Sequence, residues 1–375
     1  MRCNCTNVIL PLVQGKLVHG LIATYGLTKK LVTLAPKMAS LKDLQSYHSP
    51  EYLSFLKENN SCSDHEDIED QIRMETFGLG YDCPVFAGML DYCCAVSGAT
   101  LTAVNALLDG RFTTVVNWFG GWHHGRRSKA AGFCYCNDIV LAILRLLDQF
   151  KRVLYVDIDL HHGDGVEEAF RYTNKVMTVS FHKQAPGFFP GTGEVESIGK
   201  GKGHFYTVNV PLKDGITDQQ FSSVFTRVMD LVRPAFSPEV VVLQCGADGL
   251  NGDPMNSFSL TPHGLGECVA HVASWHLPML VLGGGGYDFP STARCWTHVT
   301  GLLVKETLDN DIPEHEYYDE YGPDYSLHCE LPSLLRRNGN SDKDLDQLVD
   351  AIRGNLFNIH ETSKVDSPQD VSDGQ

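Results

Sequence analysis

The sequence predicts an α/β protein in which a parallel sheet is covered by helices on both faces. Five short apolar runs have strand length and no polar alternation, at 114–118, 152–158, 176–181, 240–245 and 279–283. Between them lie amphipathic segments of helix length, at 91–109, 136–150, 217–233, 262–275 and 291–308. Apolar strands interleaved with helices are typical of a parallel sheet that is buried on both sides. Because neither a repeat nor a clear linker divides the 375 residues, we expect one domain.

The two ends of the chain and one internal segment follow this pattern less well. The run 7–13 is apolar, but Pro11 lacks a ladder donor, so at most an irregular strand is expected there. The segment 61–71 is polar and acidic, which predicts a solvated loop. Apolar residues at helical spacing over 345–356 predict a last packed helix, and the composition from Glu361 onward predicts disorder.

Composition narrows the possible partners. A hydrophobic content of 43% and a charged content of 20% are those of a soluble globular protein. Thirty basic and 46 acidic residues give a net charge of −16, which repels phosphate, so no direct nucleic-acid binding is expected. No apolar stretch reaches the ~20 residues of a membrane span. The 12 cysteines are scattered through apolar runs, which predicts buried free thiols in a reducing compartment.

Chemically active side chains follow four of the apolar runs at their carboxyl ends. The residues concerned are Trp122, His123 and His124 after the first run, Asp159 and His161 after the second, Asp248 after the fourth, and Gly283–Gly286 with Tyr287 after the fifth. Ligands of parallel α/β sheets bind beyond the carboxyl ends of the strands. We therefore expect these side chains to converge on one site.

Asp159, His161 and Asp248 have the residue types of a catalytic divalent-metal site. Residues at i and i+2 of an extended segment share a face, so Asp159 and His161 can point at one ion. Three protein ligands leave positions open for water and substrate. The alternative is two capping carboxylates and a hydrogen-bonded buried histidine, and the residues alone leave both interpretations open. A neighbouring histidine pair suits acid–base chemistry, and the phenol of Tyr287 can donate to an oxyanion.

These residues stand in long motifs that resemble the class I zinc-dependent histone deacetylases. The resemblance runs from about Leu17 to about Leu356. Its motifs are GLGYDCP (78–84), GGWHHG (120–125), GFCYCND (132–138), DIDLHHGDGVEEAF (157–170), PGFFPGTG (186–193), GAD (246–248), GDPM (252–255), GGGGY (283–287) and YGPDY (321–325). It implies a three-layer α/β/α sandwich of the arginase type around an eight-stranded parallel sheet. The catalytic domain would span 17–360, between an atypical N-terminus (1–16) and a disordered tail (361–375).

The resemblance also implies roles for the clustered residues. Asp159, His161 and Asp248 would bind catalytic zinc or ferrous iron. His123 and His124 would lie beside the attacking water, with His124 as the proton carrier. Asp157 and Asp164 would orient the two imidazoles, and Tyr287 would polarise the acetyl carbonyl. The substrate-binding residues implied are Trp122, Gly132, Phe133, Phe189 and Met255 along an acetyl-lysine tunnel, with Asp82 at its rim.

Structural potassium is a further implication of the resemblance. One ion would lie on oxygens of Asp157, Asp159, His161, Ser180 and Phe181. A second would involve Phe170, Thr173, Val176 and Tyr206.

The N-terminus and the loop after Asp248 depart from the family pattern, and one further position differs between subtypes of the family. Residues 1–16 do not match the family's first strand, and Gln14 stands where the family has an arginine behind the metal site. Either 7–13 replaces that strand, or the rear wall of the site is loosened. Pro254 stands where corepressor-bound class I enzymes have an arginine for inositol phosphate, so that ligand is not expected. Gly249 replaces the usual Thr or Ser after the third metal ligand.

The resemblance implies hydrolysis of N6-acetyl-lysine in histone tails and other acetylated proteins, with release of acetate. Such an enzyme would regulate chromatin and repress transcription, and it would reside in the nucleus and cytoplasm without binding a membrane. One alternative is an acetylpolyamine amidohydrolase on the same scaffold. Another is a catalytically weak acetyl-lysine-binding scaffold with a defective N-terminus.

Overall fold

The structure is a computed structural model that describes residues 6–60, 68–329 and 336–365. Six β-strands occur in these ranges: β1 (Thr114–Asn117), β2 (Val153–Asp157), β3 (Val176–Lys183), β4 (Thr207–Leu212), β5 (Val240–Gln244) and β6 (Met279–Leu282). The same ranges contain eleven α-helices: α1 (Thr6–Thr24), α2 (Leu41–Leu44), α3 (Pro50–Glu58), α4 (Ile68–Thr76), α5 (Met89–Leu108), α6 (Asp138–Leu146), α7 (Asp164–Phe170), α8 (Asp218–Phe236), α9 (Pro262–Ala273), α10 (Phe289–Leu303) and α11 (Asp342–Val365).

All six strands form one parallel sheet in the order β1-β6-β5-β2-β3-β4. The five predicted strands are therefore confirmed, and β4 was missed because Asn209 and Pro211 interrupt its apolar run. The expected count of eight strands is wrong for the described residues. Two further parallel pairings, Thr217 with Ser259 and Leu250 with Leu260, are single bridges that are too short to form strands.

Helices cover both faces of the sheet and produce a three-layer α/β/α arrangement. The helices α1, α10, α9, α8 and α11 pack side by side on one face, and α3, α5, α6 and α7 lie on the other. Successive residues of β2 serve the two faces in turn: Leu154 and Val156 join the first core, whereas Val153 and Tyr155 join the second. Both sides of each inner strand are buried. These strands therefore have no side that faces water and favours polar residues.

The N-terminal segment departs from the expectation of an irregular strand. Residues 7–13 lie within the helix α1, so the alternative in which they replace the family's first strand is wrong. A loosened rear wall of the site, the other alternative, stays a prediction. Buried residues of α1, among them Leu17, Val18 and Leu21, pack in the same core as α10. The packing of this apolar face stabilises the helix, because helices in proteins gain most of their stability from tertiary contacts and not from the helix propensity of their residues.

Two other terminal and loop predictions need correction. The helix α4 begins at Ile68, so the loop predicted over 61–71 is wrong for 68–71, while 61–67 lie outside the described residues. The predicted last helix is confirmed, but α11 extends to Val365, so disorder from Glu361 is wrong for 361–365. Residues 366–375 lie outside the described ranges.

The described cysteines agree with the prediction of free thiols. Nine of them carry no disulfide, and seven of these nine are buried. Among the helices that the structure describes, none combines the length and apolar character needed to cross a membrane.

The docking of α1 is testable with one core substitution. Leu21 is fully buried in the core shared with α10, so Leu21→Ala removes apolar contacts and leaves a cavity. We expect a loss of about 2–5 kcal/mol in the free energy of unfolding, measured by urea denaturation. Val32→Ala is the matched control, because Val32 is 66% exposed and its truncation should change stability by less than ~0.5 kcal/mol. Equal stability of both variants would show that α1 does not contribute to the core.

Candidate metal centre and active site

The loops after four neighbouring strands meet at one edge of the sheet. The strands β1, β6, β5 and β2 are adjacent, and all of their carboxyl ends lie on the same side because the sheet is parallel. A cavity of about 320 Å³ opens there. Its lining includes His123, His124, Asp159, His161 and Tyr287. The structure thus brings together the side chains that follow the predicted strands.

Asp159, His161 and Asp248 form a buried cluster with the geometry of a metal site. Their ligand atoms all lie within 4.8 Å of one another. The Nδ1 atom of His161 is 2.8 Å from Oδ2 of Asp248 and 3.2 Å from Oδ1 of Asp159. Burial, followed by the charge of Asp159, raises the pKa of Asp248 to about 7. Two carboxylates and one imidazole that converge in a buried place fit a divalent ion such as zinc, because a dication offsets the repulsion between the carboxylates.

Surrounding groups hold each ligand in position. The Oδ2 atom of Asp159 accepts hydrogen bonds at 2.8 Å from Nε2 of Gln244 and from the backbone N–H of Gly285. The imidazole of His161 stacks on Phe188, with a centroid distance of 5.1 Å and an interplanar angle of 9°. Sequence reasoning did not single out Gln244 or Phe188. Gln244 could have been found from the sequence, because it is a polar residue at the end of the buried run VVVLQ and a buried amide needs hydrogen-bond partners.

Each histidine of the first pair has its own carboxylate. The Nδ1 atom of His123 lies 2.7 Å from Asp157, and Nδ1 of His124 lies 2.7 Å from Asp164. The two Nε2 atoms face each other at 2.9 Å. Arg126, which sequence reasoning also missed, donates to the second oxygen of Asp164 at 2.7 Å. The pair therefore consists of two carboxylate–imidazole units, whose rings are tilted by 58°.

The surroundings separate the protonation states of the two imidazoles. Burial lowers the pKa of His123, but the carboxylates of Asp157 and Asp159 outweigh it and raise the pKa to about 9. For His124, burial and the charge of His123 outweigh Asp164 and lower the pKa to about 4. Near pH 7 His124 is therefore neutral, so one of its ring nitrogens can accept a proton.

Phe133 lines this cavity, whereas Phe189 and Met255, which were also predicted to bind substrate, are not part of its lining. Phe133 and Phe189 are each 43% exposed, and Met255 is 37% exposed. Phe189 meets His124 edge to face, with ring centroids 4.8 Å apart. A Cβ atom at Gly132 would approach Cδ2 of His124 to 2.5 Å, so only glycine leaves this passage open. Trp122 also lines the cavity, and its Nε1 donates to the carbonyl of Phe119 at 2.9 Å.

Asp82 and Gln14 lie at different parts of the same cavity. Oδ2 of Asp82 accepts a hydrogen bond from the N–H of Gly132 at 2.8 Å, next to the fully exposed Tyr81. Nε2 of Gln14 donates to the carbonyl of Gly286 at 2.9 Å, directly before Tyr287. The side chain that stands in place of the family's arginine is thus a contact of the Tyr287 loop.

The residues predicted to bind potassium are neighbours in space. Asp157 pairs with Ser180 across β2 and β3, and Phe181 follows in the same strand. The carbonyl of Phe170 accepts from the N–H of Thr173 at 3.0 Å, and that of Tyr206 accepts from Thr178 at 3.0 Å. Potassium binding at these residues stays a prediction.

Comparison with known proteins agrees with this arrangement. The family "Histone deacetylase domain" matches residues 13–303. Histone deacetylase 8 of Danio rerio is 49% identical over 346 residues, which cover 92% of this chain and 90% of that protein. Histone deacetylase 8 of Xenopus tropicalis is 50% identical over 346 residues, which cover 92% of this chain and 92% of that protein. Histone deacetylase 1 of Homo sapiens is 45% identical over 342 residues, which cover 91% of this chain and 69% of that protein.

The chain belongs to the histone deacetylase family. Within it, the identities confirm class I and a close similarity to histone deacetylase 8. This membership defines the enzyme class. The protein is a lysine deacetylase, which hydrolyses acetyl-lysine with the help of a metal. The fold agrees at the level of one parallel sheet flanked by helices.

Adjacent histidines provide a matched test of the metal centre. His161 points at Asp159 and Asp248, whereas the ring of His162 contacts Thr192 and Glu167 instead. We expect His161→Ala to lose bound zinc and at least 10³-fold in kcat, measured by elemental analysis and peptide turnover. His162→Ala should retain stoichiometric zinc. Full zinc content in a folded His161→Ala variant would remove His161 from the ligand set.

Proposed function

We propose that this chain hydrolyses N6-acetyl-lysine in histone tails and other proteins with Asp159, His161 and Asp248 as zinc ligands and His124 as the proton carrier. The observation that carries this proposal is the pair of facing carboxylate–imidazole units directly beside the three-ligand cluster. When bound, zinc supplies a Lewis acid that polarises the acetyl carbonyl and lowers the pKa of a water molecule towards ~7. Ferrous iron suits the same donor set.

His124 carries the proton in both halves of the reaction. Its neutral imidazole, oriented by Asp164, takes a proton from the attacking water as the oxygen bonds to the carbonyl carbon. The same proton then passes to the lysine nitrogen as the carbon–nitrogen bond breaks, which yields acetic acid and a lysine amine. The acid proton then moves to the amine, so that the products are acetate and a lysine ammonium group. Arg126 and the hydrogen bond from His124 outweigh burial and hold the pKa of Asp164 well below its usual range, so that carboxylate stays charged.

His123 and Tyr287 stabilise charge. Asp157 and Asp159 favour the cationic form of His123, whose Nε2 faces that of His124 at 2.9 Å. Burial, followed by the nearby carboxylates, raises the pKa of Tyr287 well above its usual value, so its phenol remains a hydrogen-bond donor. A donor at this wall of the cavity is suited to the oxyanion that develops on the acetyl group.

Phe133 and Phe189 form a slot for the methylenes of lysine, and Gly132 keeps the passage to His124 open. Asp82 at the rim offers a carboxylate to the backbone N–H groups of a peptide. That carboxylate favours a peptide over an acetylpolyamine, which has no backbone amides of this kind. Turnover of an acetyl-lysine peptide against N-acetylspermine separates the two candidate substrates. Preference for acetylspermine would replace the proposal by the polyamine alternative.

Cellular role and further ligands follow from the same proposal. We place the enzyme in the nucleus and cytoplasm, where acetylated histones and other acetylated proteins are substrates and deacetylation represses transcription. Potassium would occupy the oxygens around Asp157 and Ser180, and those around Phe170 and Tyr206. A net charge of −16 and the proline at 254 argue against nucleic acid and inositol phosphate as ligands.

The acid–base assignment predicts a loss of turnover without a loss of metal. His124→Ala removes the proton carrier but no metal ligand, so kcat should fall by ~10²–10⁴-fold or more. Zinc content, measured on the same sample, should stay at the wild-type level. His123→Ala should retain more activity than His124→Ala, because the first residue supplies only electrostatic support. Near-normal kcat in His124→Ala would contradict the assignment.

The tunnel assignment predicts a kinetic defect in a stable protein. Phe133→Ala removes an exposed ring, so kcat/KM for an acetyl-lysine peptide should fall at least tenfold while the melting temperature changes little. Phe225→Ala is the core control, because Phe225 is fully buried and its truncation should lower the melting temperature by several degrees. If Phe133→Ala destabilises the protein as strongly as Phe225→Ala, the ring belongs to the core and not to a tunnel.

The contact of Gln14 with the Tyr287 loop predicts a role in turnover. Gln14→Ala deletes the donor to the carbonyl of Gly286, so Tyr287 loses part of its positioning. We expect kcat to fall two- to tenfold with unchanged zinc, measured with the acetyl-lysine peptide. Lys16→Ala on the exposed face of α1 serves as the control. Wild-type turnover in Gln14→Ala would show that this wall is already adequate without the contact.

A further inference from the structure

Three histidine rings meet at a second place, outside the cavity described above. They are His263 in the first turn of α9, His298 in α10, and His328 in the segment after the short turn Tyr318–Tyr321. Their ligand nitrogens all lie within 4.8 Å of one another. The ring centroids are 4.0 Å apart for His263 and His328, 4.8 Å for His263 and His298, and 4.9 Å for His298 and His328. None of the three lines the catalytic cavity.

The fold holds two of these rings in place. A Cβ atom at Gly266 of α9 would lie 2.8 Å from Nε2 of His298, so glycine there makes room for the imidazole. The backbone N–H of His328 donates to Oδ1 of Asn310 at 2.9 Å. Nε of Arg294 in α10 donates to the carbonyl of Ser326 at 2.8 Å, which ties the same segment to α10. His263 is exposed and can turn towards the other two.

One nitrogen of the cluster lacks a partner. Nδ1 of His328 is buried and has no hydrogen bond with any residue that the structure describes. Buried polar atoms are nearly always paired, so an unpaired one indicates a water or an ion.

We propose that His263, His298 and His328 form a second metal site, which binds a zinc-class dication through three imidazoles. Neutral imidazole suits Zn²⁺, Cu²⁺ and Ni²⁺, and three such ligands leave a position for water. Zinc–nitrogen bonds of ~2.1 Å place tetrahedral ligand nitrogens ~3.4 Å apart, so these nitrogens have to approach one another by up to about 1.4 Å. The ring of His263 stacks on that of His328 with an interplanar angle of 25°, and it has to turn off this face before both nitrogens can point at one ion. Rotation of the exposed His263 provides this movement. The bound ion would join α9, α10 and the segment around 328, and it would act on stability and not on catalysis.

The test is a zinc titration of the holoenzyme whose catalytic centre is already occupied. Calorimetry and elemental analysis should detect one further equivalent of Zn²⁺ per chain, and the added metal should raise the melting temperature by several degrees. In the double variant His263→Gln/His328→Gln, affinity for this second equivalent should fall at least tenfold and the thermal shift should vanish. Basal deacetylase turnover should be unchanged, because neither residue lies in the catalytic cavity.

A histidine elsewhere on the surface provides the control. His276 is exposed with a φ of 56°, a conformation that asparagine tolerates, so His276→Asn removes a histidine without disturbing the cluster. This control should bind the second zinc as the wild type does. Absence of a second zinc equivalent in the wild type, or equal zinc binding by the double variant, would overturn the proposal. The three rings would then only pack against one another.

Discussion

Buried negative charge at the carboxyl edge of the sheet is the constraint on which the rest of the structure depends. Asp157, Asp159, Asp164 and Asp248 are almost completely buried, and isolated carboxylates in such places would be strongly unfavourable. Each is compensated by a specific partner. Asp157 and Asp164 hold the two imidazoles of the first histidine pair, and Asp159 and Asp248 converge with His161 in the candidate metal cluster. Stabilisation of the folded protein and assembly of its chemistry therefore use the same groups.

Glycines make this concentration of charge possible by letting the backbone approach the ligands. A Cβ atom at Gly285 would lie 2.3 Å from Asp248, and one at Gly284 would lie 2.1 Å from the amide of Gln244. Without side chains at these positions, the N–H of Gly285 reaches Asp159 at 2.8 Å. The chain after β6 thus supplies both the backbone donor for Asp159 and, directly beyond it, Tyr287. One loop therefore contacts the candidate metal cluster and lines the adjacent cavity.

The N-terminal helix shows how the family framework accommodates a different sequence. The segment for which an irregular strand was one alternative forms α1, which packs against α10 and brings Gln14 to the carbonyl of Gly286. An amide there is neutral and shorter than arginine, so it supports the loop through one hydrogen bond without adding charge behind the metal centre. The cavity is therefore closed at this wall by a weaker and electrically neutral contact.

The sequence by itself determined the fold class, five of the six described strands and the cluster of ligands, because continuous apolar runs and strand-end polar residues are local patterns. Only the tertiary structure decided the conformation of 7–13, since packing of α1 on α10 selects a helix where the local pattern suggests a strand. The same holds for Gln244, Phe188 and Arg126, whose roles depend on partners that are distant in sequence. The meeting of His263, His298 and His328 also depends on tertiary structure, because three separate elements carry them and no spacing along the chain relates one to another.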